Sequence, residues 1–347
     1  MTESVAIREN VQEYYGKVLQ SSKDLQTTAC CSMDGVPPRH RTMLNEIAPE
    51  VLDRFYGCGS PLPEALDGCT VLDLGCGTGR DAFLASQLVG EAGHVYGVDM
   101  TEEQLEVARR HLEPQMERFG FAAPNVTFTQ GYIEDLADAN IADNSIDVVI
   151  SNCVINLSPD KPRVFSEIFR ALKPGGEMYI SDVFADRRLP EAWSADPVLH
   201  GECLGGAMYV EDFRRLMTGL GCLEYRVTKQ TEIQVTNDAI KAVTGNTRFY
   251  SITVRAFKLA ALEDRCEDYG QVAYYLGTLE DYPTTFALDD HHIFETGRPM
   301  LICGNTAAML QETRFAPHFR VEGNRSTHYG LFECAPDANE STDGGCC

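Results

Sequence analysis

The chain has 347 residues, 44% of them hydrophobic, and carries a formal net charge of −23. That length suits one large α/β domain with an appendage or two ordinary domains, and the negative charge, with no basic patch to override it, argues against nucleic acid or an anionic membrane surface as a partner. The N-terminus, MTESVAIREN, is charged where a leader would be apolar, and no apolar run approaches the roughly 18 residues of a membrane span, so a soluble cytoplasmic protein is expected.

In chain order, "CTVLDLG" (69 to 75) reads as a strand ending in a glycine-rich turn, followed by the helical pattern "RDAFLASQLVG" (80 to 90). A second strand, "HVYGVDM" (94 to 100), leads into a helix with Thr101 as N-cap and Gln104 at the reciprocal capping-box position. "NVTFTQGYI" (125 to 133), "SIDVVISN" (145 to 152) and "GEMYISDVF" (176 to 184) supply three more strands. Between the last two, the spacing predicts an amphipathic helix over 161–176 that stops at a Pro-Gly-Gly breaker. "FRRLMTGLGCLEYRVTKQ" (213 to 230) adds a helix and a strand, and "YSITVRAFKL" (250 to 259) a final strand. Strands and helices alternating in this way build a mostly parallel sheet covered on both faces, with ligands bound beyond the carboxyl ends of the strands.

The loop "LDLGCGTGRD" (72 to 81) sets Gly75, Gly77 and Gly79 in a G-x-G-x-G array, with Arg80 where a dinucleotide motif would place its third glycine. Asp73, just ahead of the turn, opposes a phosphate and favours an ammonium or sulfonium group. Asp99 ends the second strand, where a carboxylate accepts hydrogen bonds from both ribose hydroxyls. The ligand implied is a nucleoside without a diphosphate.

Through "VLDLGCGTG", "GVDM" and "ALKPGGEMYISD" the chain resembles the class I S-adenosylmethionine-dependent methyltransferases over about residues 70 to 185. The resemblance implies a Rossmann-like α/β fold with a seven-stranded sheet whose last strand, "YSITVRAFKL", runs antiparallel. It places the glycine loop on the methionine end of S-adenosylmethionine, Asp99 and Met100 at ribose and adenine, Ile133 and Glu134 beside the adenine, and Asn152 near the transferred methyl.

Thirteen cysteines without a secretory signal do not form a disulfide framework, which leaves packing, soft-ion ligation or redox chemistry. Cys153 follows Asn152 at the mouth of the site, and "HGECLGGAMY" sets Cys203 beside glycines that let a backbone approach a small ligand. "DLQTTACCS" holds Cys30 and Cys31, and "RFYGCGSP" holds Cys58 between two glycines. Thiolates are soft ligands and select thiophilic centres.

"YYGKVL", "DLQTTACC", "YGCG", "SNCVINL" and "GECLGGA", in that order, closely resemble the arsenite methyltransferases from about residue 11 to 260. The resemblance implies that Cys58, Cys153 and Cys203 hold As(III) while S-adenosylmethionine methylates it, giving mono- and dimethylated arsenicals and a trimethylated one as an open possibility. It further implies a relay in which neighbouring thiols reduce pentavalent arsenic by forming a disulfide, Cys30 with Cys58 being the pair chosen, and in which thioredoxin or glutathione restores the thiols. Cys31 has no assigned role. No resident metal cofactor is expected, and a monomer is the default.

Other residues read more plainly. Cys69, Cys76, Cys222, Cys266, Cys303 and Cys334 are expected to pack as small hydrophobes, Glu202 either to orient Cys203 or, the favoured reading, to be a solvated loop carboxylate, and His291 and His292 to be loop or turn residues without a metal. Tyr14 and Tyr15 either close over the cofactor or pack a helix. The domains expected are a thiol-bearing segment (1–44), the methyltransferase domain (45–260), a small α+β appendage (261–334) with a Thr-capped helix, and a disordered tail (335–347) whose Cys346 and Cys347 either capture arsenite or are incidental. Two rivals stay open: a methyltransferase of the same fold acting on carbon or oxygen, and a non-enzymatic thiol protein that sequesters arsenite or zinc.

Overall fold

The computed structural model describes residues 11–12, 38–55, 57 and 61–334. Tyr14, Tyr15, Cys30, Cys31, Cys58, Cys346 and Cys347 lie outside the described residues.

The strands β1 (Thr70–Leu74), β2 (His94–Asp99), β3 (Val126–Gln130), β4 (Ile146–Asn152), β5 (Leu172–Ala185), β6 (Met208–Tyr209), β7 (Tyr225–Ile233) and β8 (Phe249–Phe257) form one sheet, in the order β3-β2-β1-β4-β5-β8-β7. β1 to β5 pair in parallel, and β8 runs antiparallel to both β5 and β7. The antiparallel last strand is as expected, but the sheet has eight strands, because the two-residue β6 adds in parallel to the end of β5.

Alternation along each strand divides the core. Val71, Val148 and Ile150 pack on one face with Phe83 and Leu105. Leu72, Leu74 and Val149 pack on the other with Phe165 and Ile168. Each such side chain, fully buried, contributes about 1.5–3 kcal/mol.

The helix Lys161–Ala171 begins where the Asp160 carboxylate accepts the Arg163 N–H at 3.1 Å. It ends earlier than the Pro-Gly-Gly: the chain turns extended at Leu172 and the three breakers lie inside β5. Pro174 disfavours helical geometry at Lys173, so the chain must leave the helix before the proline is reached. Thr101 does occupy the N-cap of Glu102–Phe119, but its side chain makes no capping bond; its N–H is taken by Asp99 Oδ1 at 2.8 Å.

Beyond β8, strands β9 (Glu267–Asp268) and β15 (Gly330–Leu331) pair with each other, as do β11 (Thr285–Ala287) and β12 (Ile293–Glu295). β10 (Gln271–Tyr275) lies between β13 (Pro299–Ile302) and β14 (Phe319–Glu322) in an antiparallel sheet. Phe286 meets Phe315 and Phe319 edge to face at 5.0 and 5.2 Å, forming a separate α+β core. The helix Gly304–Gln311 is capped by Cys303, not by a threonine: its sulfur accepts the Thr306 N–H at 3.4 Å, leaving Thr306 inside the helix. The fully buried Arg255 joins this core to the sheet, donating to Glu177 (2.7 Å), Glu64 (2.8 Å) and the Leu288 carbonyl (2.7 Å).

Candidate active site

A cavity opens at the carboxyl ends of β1, β2 and β4. Asp73, Gly75, Gly77, Asp99, Met100, Ile133, Glu134, Asn152 and Cys153 all line it. Gly79 does not: at φ 90° it caps the following helix, and a Cβ there would stand 2.8 Å from the Phe128 ring. Its glycine serves the packing beneath the loop. Gly75, at φ 67°, also needs to lack a side chain, since a Cβ would fall 2.4 Å from Val154.

Asp99 shapes the loop from below. One carboxylate oxygen accepts the Gly77 N–H and the other the Thr101 N–H, both at 2.8 Å. Burial pushes its carboxyl above the usual range. Asp73 is raised well above that range, first by burial and then by the neighbouring Asp81 and Asp99 carboxylates. Its Oδ2 is buried with no hydrogen-bond partner among the described residues. A buried carboxyl on a cavity wall, whose ionisation neighbouring carboxylates oppose, is a socket for a cationic ligand group.

Arg80, which the sequence reading did not assign, also lines the cavity. It is 3% exposed, its guanidinium stacks 3.6 Å from the Phe55 ring centroid, and both terminal nitrogens lack hydrogen-bond partners among the described residues. Asp73 and Arg80 thus present opposite charges to one ligand, matching the ammonium and carboxylate of an amino acid. The nearby Asn152 amide donates to Asp81 Oδ2 at 2.9 Å. Met100 is held through its carbonyl by Gln12 at 2.9 Å, and Glu134 accepts the Ser158 hydroxyl at 2.6 Å.

Past Asn152, Cys153 turns into a left-handed backbone at φ 55°, and Cys203 does the same at φ 62°. Both are almost fully buried. The Cys203 thiol donates to the Cys153 carbonyl at 3.2 Å, and the ligand atoms of Cys153, Cys203 and Asp182 lie within 4.8 Å of one another. Cys153 is disulfide-bonded in this structure. Asp182 was not singled out from sequence because it sits within the apolar run of β5. It accepts the Asn156 side-chain amide at 2.7 Å and the Val183 N–H at 2.8 Å, and burial raises it to about 6.

Two expectations need correction here. Glu202 is fully buried, not solvated, because the short helix Pro197–Gly201 folds its own C-terminal turn inward. The glycines after Cys203 bring the loop against protein backbone, not against a ligand: a Cβ on Gly206 would fall 2.1 Å from the Asn156 carbonyl. Gly57 packs as closely on the Asn152 side chain, so the segment leading to Cys58 passes the same corner. Burial raises the thiols of Cys69, Cys76 and Cys222, the last to about 12, in keeping with packing roles.

No helix among the described residues is long and apolar enough to cross a membrane. A methyltransferase domain family model matches residues 65–274, and an arsenite methyltransferase C-terminal domain model matches residues 268–346. The chain is 54% identical to an arsenite methyltransferase of Aquipseudomonas alcaligenes, over 94% of each chain. It is 46% identical to one of Mus musculus, over 90% of this chain and 83% of the other. An arsenic (III) S-adenosylmethionine methyltransferase from Chlamydomonas reinhardtii superposes with a TM-score of 0.83 at 51% identity, covering 86% of this chain and all of that one. With its class I methyltransferase sheet and the C-terminal domain that follows it, this chain belongs to the arsenite methyltransferase family.

Proposed function

We propose that the cavity binds S-adenosylmethionine and that the chain methylates As(III) held by cysteine thiolates. The observation that carries this reading is the pairing of a charged amino-acid socket, Asp73 and Arg80, with two buried cysteines at the far side of Asn152. Asp73 takes the ammonium and Arg80 the carboxylate of the methionine end. Asp99, Met100, Ile133 and Glu134 line the nucleoside end.

Three thiolates, those of Cys58, Cys153 and Cys203, neutralise As(III) and leave its lone pair free. The lone pair attacks the sulfonium methyl carbon, the sulfur–methyl bond breaks with its electrons on sulfur, and arsenic rises from the trivalent to the pentavalent state. No proton moves, so no general base is needed. The protein contributes mainly proximity and alignment. Two thiolates then return two electrons to arsenic and close a disulfide, which we assign to Cys30 and Cys58; thioredoxin or glutathione reopens it. Cys153, being disulfide-bonded here, must be reduced before it can take arsenic.

The products are mono- and dimethylated arsenicals, formed by a cytoplasmic monomer. The catalytic unit extends over 45–260, with the appendage over 261–334. The test is formation of methylated arsenic from arsenite, S-adenosylmethionine and glutathione. Wild type is expected to be active, and Cys153→Ser and Cys203→Ser to be inactive yet still bind S-adenosylmethionine. An enzyme that binds the cofactor but never methylates arsenic refutes the acceptor.

A further inference from the structure

Three cysteines far apart in sequence meet in the appendage. β9 pairs with β15, and the Phe332 N–H bonds the Cys266 carbonyl at 2.8 Å, which sets Cys334 beside Cys266. Cys303, at the head of the helix Gly304–Gln311, completes the group, and the three sulfurs lie within 4.8 Å of one another. Cys303 is fully buried, Cys266 nearly so, and Cys334 half-buried, so the cluster has one side nearer to solvent.

We propose that these three thiols form a second site for a trivalent thiophilic metalloid, separate from the methyl-transfer site. Bonds of about 2.3 Å to a pyramidal three-coordinate centre put sulfurs roughly 3.4–3.5 Å apart, so closure needs a contraction of about 1.4 Å at most. A trivalent metalloid suits the set better than zinc. Zinc wants a fourth ligand in a closed tetrahedral shell, whereas the three thiols that meet here among the described residues are the number a pyramidal tris-thiolate of As(III) needs. Beside Cys303 the Arg226 guanidinium, 3.8 Å from the sulfur, favours the thiolate form.

The surroundings hold Cys303 ready. Its sulfur contacts the Thr306 hydroxyl at 3.2 Å, and that hydroxyl accepts from Arg226 at 3.0 Å. Arg226 is itself fixed by Glu224 (2.5 Å) and Asp289 (3.0 Å). The Cys303 thiol is brought down to about 4, first by its hydrogen bond with Cys334 and then by Arg226 and Thr306, against the opposing effect of burial. Loading by arsenous acid balances without redox change: each of three As–O bonds is replaced by an As–S bond, and each departing hydroxyl leaves as water with a thiol proton. Cys266 is disulfide-bonded in this structure, so the site forms in protein reduced beforehand with a phosphine.

The test uses the full chain carrying Cys153→Ser and Cys203→Ser, so its outcome does not depend on the reading of the methyl-transfer site. After phosphine reduction and removal of the phosphine, the protein is incubated with arsenite and its bound arsenic is measured by native mass spectrometry with peptide mapping. The expected result is one tightly bound arsenic per chain, on peptides containing Cys266, Cys303 and Cys334. Adding Cys303→Ser is expected to weaken it at least tenfold. Cys334→Ser, at the half-buried position least able to disturb folding, is expected to do the same, with unchanged S-adenosylmethionine affinity reporting an intact fold. Absence of retained arsenic, retention unaffected by either substitution, or zinc displacing arsenite from the cluster would each overturn the proposal.

Discussion

The Cys203 thiol reaches the Cys153 backbone carbonyl across 3.2 Å, and both residues hold a left-handed backbone. Such a conformation costs a non-glycine residue about 1–3 kcal/mol. Cys203 stands just past a helix end, a position that usually goes to glycine. Side-chain identity has prevailed there over backbone comfort. Glycine should therefore be more stable than alanine at this position, by about 1 kcal/mol. Chemical denaturation of Cys203→Gly and Cys203→Ala decides it; an alanine variant at least as stable would show that the backbone is not strained.

Arg80 and the carboxylate of the ligand form the second expectation. A hydrogen bond to a charged group contributes about 1.5–3 kcal/mol, so Arg80→Gln should weaken S-adenosylhomocysteine binding by about tenfold or more. Methylthioadenosine, which lacks the amino-acid end, should bind both proteins alike. Calorimetry with the two ligands separates a carboxylate contact from general damage to the cavity, which would weaken both.

Asp73 sets a pH dependence. Its free carboxyl is raised by burial and by Asp81 and Asp99, so it holds a proton at higher pH than an ordinary aspartate. A cationic ligand binds the ionised form and displaces that proton. Affinity for S-adenosylmethionine should thus be full above the raised pKa and fall as pH drops through it. Proton release, measured by calorimetry in buffers of different ionisation enthalpy, should accompany binding and shrink in Asp73→Asn. Equal proton release in the variant would assign the titration elsewhere.

Arg255 offers a test of how the appendage is held. Arg255→Leu leaves Glu177 buried with Arg314 as its remaining ionic partner, a loss of about 3 kcal/mol. Replacing Glu177 by leucine as well should recover only part of it, since the buried carboxylate goes too while Arg314 then loses that ionic partner. Thermal unfolding of the single and double variants distinguishes this from a simple packing defect, in which the second change adds to the damage.

Much of the fold was legible locally. The alternation of strands and helices and the placing of Asp73 and Asp99 at one glycine-rich turn follow from short patterns, because a strand end and its turn are neighbours in sequence, while the antiparallel final strand and the place of Asn152 were implied by the methyltransferase resemblance. Where local rules competed they misled: a proline two residues into the next strand ended a helix before the glycines could, and a cysteine outcompeted threonine for a helix cap.

The sequence by itself determined the elements, their order and the motifs that mark a methyltransferase, since periodicity and turn chemistry act over a few residues. Only the tertiary structure decided that Arg80 lines the cavity with its terminal nitrogens unpartnered among the described residues, that Asp182 joins Cys153 and Cys203, that Glu202 is buried, and that Cys266, Cys303 and Cys334 converge. Those relations depend on strand pairing and packing between residues tens of positions apart, and the spacing of residues along a chain carries no record of which distant surfaces will bury each other.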